Sequence, residues 1–249
     1  MAKVFDGVVL CDDLFKQYHA FRRGEVGSYQ DNTIKKLLKF YRSGFVSNIA
    51  QYARCGVPLD NQMKQLLYRN NMRLQSIVEL ANTHTLYKIV LSDKSGGFPF
   101  VNILSDDEKI DMSVTGSFTL REDRHVAIEH IAAICSNARE IILFDGYINN
   151  SKEKENIKSV LDKILPTSHE VKVRCYEPLS SEIKNYLNGK SSNRIFDSLS
   201  VLNAQDYHDR YIVVDNKLEV LLSSGLDHLA RTVSDLTYVV RPVSKNRFG

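Results

Sequence analysis

Between residues 207 and 227 the chain gathers side chains suited to chemistry on an anion. His208 and Arg210 stand two apart, just before Tyr211-Ile212-Val213-Val214. That run is apolar and mostly β-branched or aromatic, so it reads as a buried strand. Alternate residues of a strand share a face, which sets His208 beside Arg210. Asp215 has the other parity and meets a turn at Asn216-Lys217. Ser223 and Ser224 close the next apolar run, Leu218 to Leu222, and Gly225 and Asp227 follow. An imidazole changes charge near neutral pH and serves as nucleophile or proton carrier. A guanidinium offers a planar fork to phosphate oxygens and stays charged. The combination fits an anion site; a salt-linked structural cluster would use the same residue types.

These residues resemble the phospholipase D superfamily, whose signature is H-x-K, four residues, Asp, then a Gly/Ser-rich segment. Here the pattern runs His208-x-Arg210-x4-Asp215 and then Ser223-Ser224-Gly225-x-Asp227. Arg210 stands where that family usually has lysine, and Asp227 near where it has asparagine. Both variants are similar to its H-D-R-type members, among them a domain found C-terminal to MIT domains and domains of bacterial phage and conflict proteins. Upstream, Glu140-Ile141-Ile142-Leu143-Phe144-Asp145-Gly146-Tyr147 resembles the strand ending in D-x-Y that opens many such domains. The resemblance covers residues 121 to 243. It implies metal-independent phosphodiester cleavage with two histidines, one attacking phosphorus and one protonating the leaving oxygen. With one motif per chain, a competent site needs two copies of His208 across a twofold axis. Arg210 then clamps the non-bridging oxygens, Ser223 and Ser224 hydrogen-bond them, and Asp215, Asp145 or Glu177 orients an imidazole. Asp227 is awkward in such a site, because an unpaired carboxylate repels phosphate. The MIT-associated relatives are mainly non-catalytic, so the resemblance equally allows an inactive module that binds nucleic acid, phospholipid head groups or a partner protein.

The elements that must position these residues alternate in type from Arg121 onward. Helices are expected over 121–138, 151–165 and 180–187, and strands over 140–147, 171–176, 194–201, 211–214, 218–222 and 236–241. Such alternation implies an α/β half-module with a mixed sheet flanked by helices. Before it, residues 1–120 read as a mainly helical, basic region with some β-structure, of no recognised family. Helices are expected at 12–23, from Asp31 or Asn32 through Phe45, and from an Asp60 cap to Leu74 or Leu80; β-like runs lie at 85–91, 99–104 and 112–120. Asp106, Asp107, Glu108 and Asp111 match no calcium loop and read as a hydrated turn. Among the remaining histidines only His228 lies near the motif.

Charge adds a partner. Residues 14 to 73 hold eleven basic side chains against three acidic ones, a net +8, whereas residues 121 to 249 balance. A block of that sign attracts polyanions. Lys35, Lys39 and Arg42 share a helical face, with Lys36 beside them, and form the candidate nucleic-acid surface; a solvated outer face is the bland alternative. The 43% hydrophobic and 25% charged composition is that of an ordinary globular protein. No apolar run approaches the roughly 20 residues of a membrane span, and Val8-Val9-Leu10-Cys11 is too short for a signal peptide. Four scattered cysteines without C-x-x-C favour buried thiols in a reducing cytoplasm. The expectation is a cytoplasmic homodimer acting on nucleic acid, set in a larger complex or an antiviral defence system, with no cofactor and no metal.

Overall fold

The computed structural model describes residues 4–39, 44–105, 108–110, 114–150, 152–200 and 209–243. His208 and Arg42 therefore lie outside the described residues, as do Asp106, Asp107 and Asp111. The chain forms two units, Met1–Ser113 and Val114–Gly249.

In the first unit the elements run β1 (Val8–Leu10), α1 (Asp12–Arg22), α2 (Asp31–Lys39), β2 (Phe45–Val46), α3 (Ile49–Cys55), α4 (Asn61–Arg69), α5 (Ile77–His84), β3 (Val90–Ser92) and β4 (Phe100–Asn102). The β-structure expected there is a four-stranded sheet in the order β2-β1-β3-β4, parallel throughout. Parallel strands covered on both faces are continuously apolar. That is why Val8-Val9-Leu10, too short to read as anything but a stray apolar patch, is a fully buried strand. Phe45, expected at a helix end, belongs to β2. The long helix expected from Asp60 divides. Asp60 caps α4 as anticipated, its Oδ1 accepting from the Met63 N–H at 2.8 Å. The chain then turns through Asn71 at φ +58°, and the Ser76 hydroxyl caps α5.

In the second unit come β5 (Thr115–Phe118), α6 (His125–Cys135), β6 (Glu140–Phe144), α7 (Lys154–Ile164), β7 (Val171–Cys175), α8 (Ser181–Lys190), β8 (Arg194–Ser198), β9 (Arg210–Val214), β10 (Leu218–Leu222), a 3-10 turn (Leu226–Leu229) and β11 (Leu236–Pro242). They build a mixed seven-stranded sheet, β5-β11-β10-β9-β6-β7-β8. Strands β6, β7 and β8 are parallel, linked by the crossover helices α7 and α8; β9, β10, β11 and β5 pair antiparallel. The unit begins before Leu120 because β5 pairs with β11, Phe118 facing Leu236. Gly116 permits that pairing: a Cβ there would lie 2.1 Å from the Tyr238 ring. The Tyr238 hydroxyl meets His130 Nδ1 at 2.8 Å, so His130 is a satisfied core histidine.

Ladder register sorts the sheet into two faces. Ile141, Leu143, Val173, Cys175, Ile212, Val220, Leu222, Tyr238 and Val240 share one, all within about 1% of complete burial. Successive crossovers in one direction keep α7 and α8 on that same side. The opposite face packs Ile142, Phe144, Tyr211 and Val213 with Leu199, Tyr176, Leu221 and Val243. Burying each large apolar side chain stabilises the fold by about 1.5–3 kcal/mol. Both faces thus fix the strands whose ends carry the polar residues.

Candidate active site

Register brings the polar residues to one end of this sheet. Phe144, the last residue of β6, pairs with Tyr211, so Asp145 and Arg210 continue beside each other. Leu222 of β10 pairs with Arg210, so Ser223, Ser224 and Gly225 emerge at the same end. Strand β7 runs parallel to β6, Leu143 facing Cys175, and delivers Tyr176 and a half-buried Glu177 there as well. In open α/β sheets the carboxyl ends of parallel strands are where ligands bind.

Asp145 is the hub. It is only 2% exposed. Its Oδ1 accepts from the Tyr147 N–H at 2.8 Å and its Oδ2 from the Leu226 N–H at 2.9 Å, tying the end of β6 to the segment after β10. Burial raises this carboxyl above the usual range; the two N–H donors and Arg210 oppose the rise, and the charge of Asp227 adds to it. Gly225 is required between the carboxylates, since a Cβ there would lie 2.5 Å from Asp227 Oδ1 and 3.5 Å from Asp145 Oδ2. Arg210 lays its guanidinium over the Tyr147 ring, Cζ 5.2 Å from the centroid, a cation–π distance.

The segment after Gly225 is held by arginines that sequence reading missed. Asp227, buried, takes the Arg231 Nη1 donor at 2.9 Å, and the same nitrogen lies 3.1 Å from Glu153. The awkward carboxylate is thus ion-paired, to an arginine it shares with Glu153. His228 places Nε2 3.7 Å from Asp227 Oδ2 and Nδ1 2.8 Å from Ser234 Oγ. Beneath them the buried Arg124 guanidinium donates to the carbonyls of His228, Arg231 (2.5 Å) and Ser234. An arginine opening a helix gives no sequence signal for such a role, because its acceptors are backbone atoms a hundred residues away.

The other expected residues divide. Ser224 is half-buried at the site's edge. Ser223 is exposed and extends the ladder: its Oγ accepts from the Thr237 N–H and its own N–H donates to the Thr237 carbonyl, both at 2.9 Å. Asp215 is not at the site. It follows β9 at the opposite end of that strand, about 17 Å from Arg210 at ~3.3 Å per residue. There, at φ +50°, its Oδ1 accepts from the N–H groups of Arg139 and Glu140, each at 2.9 Å. It ties the β9–β10 turn to the start of β6, and the five-residue spacing from Arg210 is the length of the strand. On α2 of the first unit, Lys35 and Lys39 are exposed, whereas Lys36 Nζ donates to the Leu104 carbonyl at 3.1 Å.

No protein-family model matches the chain, and no curated protein matches it. Among solved structures, NucT from Helicobacter pylori is similar at 15% identity over 51% of this chain and 84% of its own, with a TM-score of 0.31. A phospholipase D family member, Nuc from Salmonella typhimurium, is similar at 18% identity over 51% of this chain and 82% of its own, with a TM-score of 0.29. TrmBL2, an archaeal chromatin protein described as showing a novel mode of DNA binding, is similar at 13% identity over 50% of this chain and 45% of its own, with a TM-score of 0.25.

Proposed function

We propose that the second unit is a phospholipase D-like phosphodiesterase acting on nucleic acid through His208 and Arg210 of two copies of the chain. The supporting observation is the convergence of Asp145, Glu177, Arg210, Ser224 and an ion-paired Asp227 at the sheet end where β9 begins, two residues after His208 in the sequence. In this reading one His208 attacks phosphorus, forming an N–P bond as the P–O bond to the leaving group breaks. The second His208 gives its proton to that oxygen, and water then cleaves the phosphohistidine. Arg210 holds the non-bridging oxygens. The exposed Lys35 and Lys39 attract the polyanion. A cytoplasmic setting, a larger complex and a role in bacterial defence belong to the same proposal.

The test is incubation of wild type and His208→Ala with single- and double-stranded DNA and RNA in EDTA. Turnover by wild type and its loss in the variant support the reading; equal activity in both, or none on any substrate, goes against it. A second reading, a non-catalytic nucleic-acid-binding module, is favoured by Arg210 and Asp227 standing where the resembled family has lysine and asparagine. Binding without turnover that survives His208→Ala and fails after Lys35→Glu with Lys39→Glu selects it.

A further inference from the structure

Tyr147 is 64% exposed although a guanidinium lies over its ring. Single exposed aromatics are ordinary on protein surfaces, but this one is fixed at both backbone groups. Its N–H donates to the buried Asp145 at 2.8 Å, and its carbonyl accepts from the Asn150 N–H at 2.9 Å. A pre-positioned ring loses little entropy when a ligand covers it. It also adjoins Arg210, the group assigned to the phosphate.

We propose that Tyr147 is a specificity-determining platform on which one unpaired nucleobase stacks while the adjoining phosphate meets Arg210. The inference rests on the phosphodiester reading of the site and names its ligand more narrowly: a stretch of nucleic acid whose base is free to leave its neighbours. In a duplex each base is already stacked and paired, so covering the ring would first require unstacking. An aromatic face beside a cation accepts any base, so the platform selects for strandedness and not for sequence.

The experiment is fluorescence anisotropy with three probes: a single-stranded DNA oligonucleotide, the same strand in duplex, and an abasic strand with the same number of phosphates. Wild type is expected to bind the base-bearing single strand most tightly. Tyr147→Ala should weaken that binding about tenfold and leave the abasic strand unchanged, and Tyr147→Phe, which keeps the ring, should retain wild-type affinity. Equal losses on both strands, no loss on either, or a preference for duplex overturns the proposal. Arg210→Ala separates this from failure of the underlying site. Unchanged affinity of that variant for the abasic strand removes the phosphate site itself, whatever Tyr147 does.

Discussion

Asp145 is a carboxyl whose pKa the fold raises, because burial outweighs its two N–H donors and Arg210. A raised folded value means that its contribution to stability is complete below the unfolded value, about 3.9, and is lost as pH rises through the folded one. Relative to Asp145→Asn, wild type should therefore lose stability on the alkaline side of pH ~4, whatever the offset between the two. Urea melts at stepped pH decide it; parallel curves would contradict the assignment. His19 in the first unit runs the other way. Burial, then Arg22 and Arg23, hold its imidazole down to about 4, and it packs against Phe15 and Tyr52. Its contribution is present above the unfolded value of about 6.5 and is lost as pH falls towards the folded one. For a half-exposed ring the loss should reach about 1–2 kcal/mol after solvent screening. His19→Phe should abolish it while keeping the aromatic contacts, as melts between pH 7 and 4 would show.

At the scale of elements, two devices position the site without touching it. The Asp215 carboxylate secures the β9–β10 turn, and Asp215→Ala should cost about 1–3 kcal/mol while leaving affinity for an abasic strand unchanged. A tenfold loss of that affinity would return Asp215 to the site. The Arg124 guanidinium carries the segment from His228 to Ser234, and Arg124→Ala should expose its amides to rapid hydrogen exchange. The strands and helices of this half were legible because each apolar run has one period and a turn residue at its end, as at Asn216-Lys217. Strand β9 gave its own length away: His208, Arg210 and Asp215 show which residues share a face. They do not show which end of the strand each occupies. That needs the ladder partners, which a single sequence does not name. Helix α3 and strand β1 were illegible for a different reason: each is short, and the parallel sheet that buries β1 is assembled from distant segments. Arg124, Arg231 and the cradle at Gly225 act through backbone atoms or a close approach, and neither leaves a pattern in residue types.

For the whole molecule, the +8 block and the candidate site lie in different units of the chain, and the proposed reading gives them separable tasks, capture and chemistry. Among the described residues no helix is long and apolar enough to cross a membrane. In the proposed reading chemistry needs two copies of His208, and an equimolar mixture of wild type and His208→Ala subunits, fully exchanged, should then retain about one quarter of the wild-type rate per dimer. Half the rate would indicate chains that work alone. The most direct measurement is mass spectrometry of the protein denatured at alkaline pH, where a phosphohistidine persists, during turnover of a short oligonucleotide. The account predicts a nucleotide fragment joined through its phosphorus to the peptide containing His208, absent from His208→Ala. Turnover with no adduct on that peptide, or with the adduct on another residue, would contradict it.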